Sequence, residues 1–233
     1  MAAPVVGAFE DSVRRGDPCR WLSSRFIADP PARGDVIALY AYDLELTRAP
    51  KVASNSLVAE IRLTWWREVL GEIYSGTRVR GHPVAQALAD VVRRRGLDRA
   101  PLESMIDARI AVLDKTALQL GEAIVWADEV VGSAASLAVR ILDPRATADA
   151  AVIAGRLWGL SLLRARGRAN ASELTDRIAA DLPAARAAAR ALGVAAFPAV
   201  AHATLAQRSP STGAGLSAFT QLKLILAVTT GRI

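Results

Sequence analysis

Four carboxylates, Asp43, Glu45, Asp107 and Asp114, are the residues on which metal chemistry would have to rest. A divalent ion held against a phosphate needs several such oxygens, so at least three of them would have to converge in one cavity. Asp43 and Glu45 do not chelate as a pair. Two residues apart on one helix, they point about 200° from each other, and a surface or capping role is the default, with an inward polar contact as the alternative. Arg62 and Arg67 flank the pair Trp65-Trp66. If Arg62 faces inward it must be paired, because an unpaired buried charge is prohibitively costly; Asp107 and Arg109 are the candidate companions, and solvated surface is the default. The tryptophans read first as core and second as the wall of a lipid-sized cavity.

Other reactive types offer less. His82 precedes Pro83 at a helix start and reads as structural, and His202 has no companion that suggests chemistry. Cys19 is a lone thiol whose pKa the adjacent Arg20 could lower slightly, yet nucleophilic catalysis needs a base that the sequence does not supply. The stretch 211–217, Ser-Thr-Gly-Ala-Gly-Leu-Ser, is like a phosphate loop only superficially. No strand precedes it and it has no Gly-Lys-Ser/Thr, so a flexible loop before the last helix is expected.

The elements that must position these groups are helical. Between breaks at Asp29-Pro30-Pro31, Ser75-Gly76, Gly81-His82-Pro83, Gly96, Asp143-Pro144, Gly167, Pro183, Phe197-Pro198 and Ser209 to Gly215, apolar residues recur three or four apart. Leu57, Ile61, Trp65 and Val69 form one stripe of the clearest helix, and Val58, Trp66, Leu70 and Ile73 widen it, as a helix buried against several neighbours requires. Helix starts are expected after Asp143-Pro144, towards Thr147, and at Ser172. No stretch alternates with period two for long enough to suggest a sheet. The expected fold is all-α, with 1–16 as an N-terminal tail and 17–233 as a single helical domain.

Composition narrows the function. A chain of 233 residues that is 52% hydrophobic and 22% charged folds as an ordinary globular domain. One cysteine and two histidines exclude a disulfide framework and a multi-histidine metal site. The net charge of +6 invites a nucleic-acid reading, but the cations are nearly all arginine, with lysine only at 51, 115 and 223, and acids are interspersed. Nucleic acid is therefore not an expected partner. The N-terminus lacks a basic region before its apolar residues, and no segment approaches the roughly 20 apolar residues of a bilayer span. A cytoplasmic protein is expected, with peripheral attachment to the inner membrane left open.

Three segments together resemble the squalene/phytoene synthase family. The first is 20–42, with Trp21, Phe26, Pro30, Arg33 and Ala38-Leu39-Tyr40-Ala41-Tyr42. The second is Glu60 to Glu68, followed by Tyr74 and Gly81-His82-Pro83-Val84. The third holds Met105 to Arg109, Trp126, Val130 to Ser133, and 154–164. The resemblance implies the isoprenoid-synthase helical fold. In active members two Asp-rich motifs hold Mg²⁺ against a prenyl diphosphate. Here the first motif falls on Thr47, Arg48 and Lys51, and the second on Ser161, Arg164, Ala165 and Ala169. Cations stand where metal ligands are needed, and of the second motif only the arginine remains.

Asp43-Leu44-Glu45-Leu46, the paired tryptophans and Phe197-Pro198-Ala199 resemble the family's degenerate branch, which includes the mitochondrial assembly factor for respiratory complex I and its bacterial relatives. The resemblance implies a non-catalytic helper, without a cofactor, that keeps a relic pocket around Tyr40, Asp43, Arg62, Trp65, Trp66, Asp107 and Arg164. Such a pocket would take a prenyl lipid or prenyl diphosphate, and a protein partner at the membrane is a further expectation. Two alternatives stand beside it. One is an active head-to-head prenyl transferase using Mg²⁺ on Asp43, Glu45, Asp107 and Asp114. The other is a basic adaptor that docks on anionic membrane through Arg93, Arg94 and Arg95.

Overall fold

The structure, a computed structural model, describes residues 3–147, 149–208 and 217–233. It is helical throughout, as expected, and only an isolated bridge between Leu118 and Ala169 is extended among the described residues. The helices are α1 (Ala3–Gly16), α2 (Pro18–Ser24), α3 (Pro30–Arg48), α4 (Ser56–Ser75), α5 (Pro83–Arg95), α6 (Arg99–Ile110), α7 (Leu120–Trp126), α8 (Ser133–Leu142), α9 (Asp149–Ala165), α10 (Ala171–Ala191) and α11 (Ala218–Thr230). A π-helical turn, Ala127–Gly132, joins α7 to α8, and two short 3₁₀ turns, Phe197–Ala199 and Ala201–Leu205, follow α10. No described helix is long and apolar enough to cross a membrane.

The central helix is α3. Asp29 caps it by accepting a hydrogen bond from the Ala32 amide, and Pro30 stands at its first turn, where a missing N–H costs nothing. Residues 35–43 of α3 are all buried, so neighbours surround it on nearly every side. Tyr42 donates to the Leu102 carbonyl of α6 at 2.9 Å, and Asp35 receives both Arg94 and Arg95 of α5. Those two ion pairs, with Arg93 on Asp90, engage the arginine run that the adaptor reading required to be free.

Several expectations are corrected. The stretch expected as a tail is helical where it is described. Residues 3–16 form α1, which packs on α3 with Phe9 and Val13 in the core. Pro183 does not end a helix, since α10 runs through it to Ala191; a proline removes one hydrogen bond but cannot undo the burial of Leu182, Ala185 and Ala189. The stripe on α4 is displaced. Leu57 and Ile61 are exposed at 64% and 59% and Trp65 is half-buried, whereas Trp66, Val69, Leu70 and Ile73 are buried as expected and Ala59 and Leu63 join them. α10 starts one residue earlier than Ser172, after Asn170, whose side chain accepts from the Ser172 and Glu173 amides. Of the expected break at Ser209 to Gly215 and the phosphate-loop stretch 211–217, all but Ser217, which caps α11, lies outside the described residues.

Backbone packs closely on backbone between α9 and the π turn. A Cβ at Gly155 would stand 2.6 Å from the Gly132 Cα and 2.7 Å from the Val131 carbonyl oxygen; one at Gly159 would meet the Ala127 Cβ at 2.8 Å. Small residues let the two backbones touch, and this holds α9 against the π turn.

Candidate functional site

Where the family motifs fall, the chain builds a buried ion cluster. Asp17 caps α2 and accepts from the Arg20 amide at 3.0 Å, which fixes the arginine at the start of that helix. Arg20, 3% exposed, donates from Nη1 to Asp43 Oδ2 at 2.5 Å. Arg109, on the last turn of α6, donates from Nη2 to Asp43 Oδ1 and to Thr47 Oγ1, and from Nη1 to the Met105 carbonyl. Asp43 thus ties α2, α3 and α6 together, with each carboxylate oxygen bound to a different guanidinium. Burial pushes its carboxyl up, but Arg109 and Arg20 outweigh that and hold it below the usual carboxylate range. Burial raises Tyr40 well above the ordinary phenol value, and the Arg20 guanidinium lies 5.2 Å over its ring.

Two hollows adjoin this cluster. One, of about 30 Å³, is lined by Tyr40, Asp43, Arg20 and Arg109, which leaves room for little more than one or two waters. The other, of about 200 Å³, has apolar walls from Leu46, Val112, Leu113, Leu118, Trp126 and Leu163, with Lys51, Arg166 and Arg168 at its edge. Arg168 is committed to the Lys115 carbonyl at 2.7 Å. Lys51 and Arg166 are exposed and have no ion-pair partner among the described residues. Burial, Arg166 and Arg48 lower the Lys51 ammonium below its ordinary value, and burial lowers Arg166. Asp43 and Asp17 attract Arg166 while Arg109 and Arg20 repel it, so its charge is partly offset, whereas Lys51 stands beside the cations Arg166 and Arg48.

The expected site residues do not assemble as one group. Tyr40 and Asp43 line the small hollow, and Thr47 lines both. Arg48 turns to Glu45 at 3.0 Å. Arg164 lines neither hollow; it donates to Thr175 Oγ1 and the Ala206 carbonyl, joining α9 to α10 and the second 3₁₀ turn. Ser161 is buried with its hydroxyl on the Trp158 carbonyl, and Ala165 and Ala169 bring no donor. Arg62 is exposed, so it needs no buried partner, and Asp107 pairs with Arg67 at the surface. Trp66 is core, edge-on to Tyr42, Trp65 and His82, and neither tryptophan lines either hollow. Sequence reasoning gave Arg109 only a place beside Arg62 and Arg20 only an influence on Cys19, and it gave Arg166 no role at the site.

The four carboxylates therefore stay apart. Asp43 is enclosed by arginines, Glu45 faces Arg48, Asp107 faces Arg67 and Asp114 is exposed. This donor set does not fit Mg²⁺. No carboxylate lines the larger hollow, the two at the small one, Asp17 and Asp43, are bound by arginine, and the positions of the first motif bring a hydroxyl and two cations. Cys19 is likewise no nucleophile. Burial and Asp17 push its thiol up to about 12, against the smaller opposing effect of Arg20.

Comparisons with known proteins agree with the architecture. The profile of the squalene/phytoene synthase family matches residues 13–197. A dehydrosqualene synthase solved with a bound ligand superposes with a TM-score of 0.73 at 15% identity, covering 97% of this chain and 95% of that one. A squalene synthase from Alicyclobacillus acidocaldarius superposes with a TM-score of 0.67 at 12% identity, covering 97% and 94%. These two are likenesses of fold. In sequence, the chain is 23% identical over 99 residues to a protein of Dictyostelium discoideum described as a homolog of complex I assembly factor 6; the match covers 42% of this chain and 28% of that protein's length.

Proposed function

The chain belongs to the squalene/phytoene synthase family, and on that premise we propose that it is a non-catalytic member that holds an anionic prenyl-type lipid without ionising it. One observation carries the reading: Lys51 and Arg166 stand without an ion-pair partner among the described residues at an apolar cavity of about 200 Å³ that no carboxylate lines, while Asp43 in the adjoining small hollow is sealed between Arg20 and Arg109. An active relative would pull charge off the departing diphosphate with metal ions. Here fixed cations attract the head group directly, a role that needs no metal and gives no comparable pull on the leaving group. The cavity is below the ~300–1,000 Å³ of ordinary small-molecule sites, so it admits one short apolar segment rather than two prenyl chains side by side. The similarity to a complex I assembly factor homolog supports a helper role in assembling a membrane respiratory complex, with a protein partner at the membrane.

Calorimetric titration with farnesyl diphosphate, in EDTA and in excess Mg²⁺, tests this. The expected result is binding in EDTA that Mg²⁺ leaves unchanged or weakens, with no product formed. Binding that tightens with Mg²⁺ together with turnover overturns the reading in favour of an enzyme. No binding in either condition overturns the lipid part.

A further inference from the structure

From Leu182 to Ile233 the chain contains no aspartate or glutamate, yet carries Arg186, Arg190, Arg208, Lys223 and Arg232. In this acid-free region α11 has a single charge, Lys223, in thirteen residues. A helix that is apolar on all sides is normally covered on all sides. α11 is not. Leu224 and Ala227 are buried against the body of the protein, while Phe219, Leu222, Ile225 and Leu226 are 52%, 55%, 41% and 53% exposed. Their spacing of three and four places them on the outer side of the helix.

The cations meet this apolar side. Arg208 lies 4.2 Å over the Phe219 ring. One hollow, of about 230 Å³, is lined by Leu226 together with Arg186, Lys223 and Arg232; another, of about 250 Å³, shares Arg186 and Arg232 and is completed by Arg190 and Ile233, whose carbonyl accepts from Arg186 Nε at 2.9 Å. Burial, with Arg208 and Arg186 nearby, lowers the Lys223 ammonium below its ordinary value.

We propose that the outer face of α11 and its arginine rim form a docking surface for an anionic lipid bilayer, with Leu222, Ile225 and Leu226 entering the acyl boundary and the arginines receiving head-group phosphates. Charge complementarity selects this occupant. A second copy on a two-fold axis would set one acid-free cationic rim against another. An anionic bilayer supplies both the apolar layer and the negative charge, which is the combination an interfacial helix with a basic flank requires. The surface is separate from the cavity at Lys51, so the two can succeed or fail independently.

Vesicle co-sedimentation of the full chain decides the matter, using phosphatidylcholine alone and phosphatidylcholine mixed with phosphatidylglycerol. The expected result is binding to the mixed vesicles only, weakened as salt rises. The double variant Leu222→Glu, Leu226→Glu is expected to abolish it. Arg186→Gln with Arg190→Gln is expected to weaken it by about thirtyfold, the factor that two basic side chains supply at a charged surface. Both variants alter exposed positions, and unchanged circular dichroism and melting separate a lost surface from a lost fold. Equal binding to both vesicle types, no binding to either, or binding unaffected by the α11 variants overturns the proposal. So does a concentration-dependent dimer that Leu222→Glu dissociates, because a second copy would then be the occupant.

Discussion

Gly155 of α9 lies so close to Gly132 of the π turn that a Cβ on the first would reach within 2.6 Å of the Cα of the second. The contact is backbone on backbone, so no side chain can move aside. Gly155→Ala is expected to destabilise the fold by about 1–3 kcal/mol or more. Gly71, inside α4, has nothing within 4 Å of its Cβ position, and Gly71→Ala is expected to stabilise by about 0.5–1 kcal/mol through helix propensity. Urea unfolding of the two variants side by side checks the contrast. Equal effects would mean that the close approach is not real.

Asp43 should be far more costly to lose than any surface ion pair. Asp43→Ala leaves Arg20 and Arg109 buried without their shared partner, and a loss of about 3–5 kcal/mol is expected. Asp107→Ala, which breaks the exposed pair with Arg67, is expected to cost no more than about 1 kcal/mol. Chemical denaturation of both measures the difference. The Asp43 pKa is lower in the folded chain than in the unfolded one, so its contribution is present above the unfolded value of about 3.9 and is lost as pH falls through the folded value.

His202 sets an earlier acid limit. It is 2% exposed, edge-on to Trp158 at 5.4 Å, and burial together with Arg20 holds its imidazole well below the ordinary value. The folded state therefore keeps it neutral while the unfolded chain takes up a proton near pH 6.5. Stability from this group is complete above that pH and falls progressively below it. His202→Phe should flatten the stability profile just below pH 6.5. A profile unchanged by the substitution would assign the slope to another group.

Cys19 should behave as an inert apolar side chain. With its thiol at about 12 and the residue buried, labelling by a disulfide reagent at pH 8 is expected to be slow and to follow unfolding. Fast stoichiometric labelling of the folded protein would show that α2 opens.

Removing charge at the cavity mouth should act on ligand and not on fold. Lys51→Gln and Arg166→Gln take away exposed, unpaired cations, so the melting temperature should hold or rise as their mutual repulsion is relieved. Farnesyl diphosphate binding should weaken by about tenfold for each. Thermal melts and titrations on the same samples separate the two effects.

What the sequence revealed followed the range of the forces involved. Helix ends at Asp29-Pro30, Gly76 and Gly96 were legible because capping and left-handed glycines act within one turn. The all-helical fold was legible because its periodicity repeats many times. The role of Asp43 was not, since its partners lie 23 and 66 residues away and no local rule points to them. Spacing alone made it a surface residue. Arg164 was favoured over Arg166 because it occupies the motif position, whereas contacts with α10 and Ala206 determine where it points. The exposure of Leu57 and Ile61 was hidden for a related reason: an apolar stripe says which residues can be covered, not where the neighbouring helices stop.

The trio Arg20, Asp43 and Arg109 also constrains how this lineage can drift. Changing any one member alone strands a charge in the interior at a cost comparable with much of the roughly 5–15 kcal/mol that holds a domain together. The three are therefore expected to tolerate change only together. A substitution path towards a metal site would have to replace them as a set, and would still meet the cations at Arg48 and Lys51.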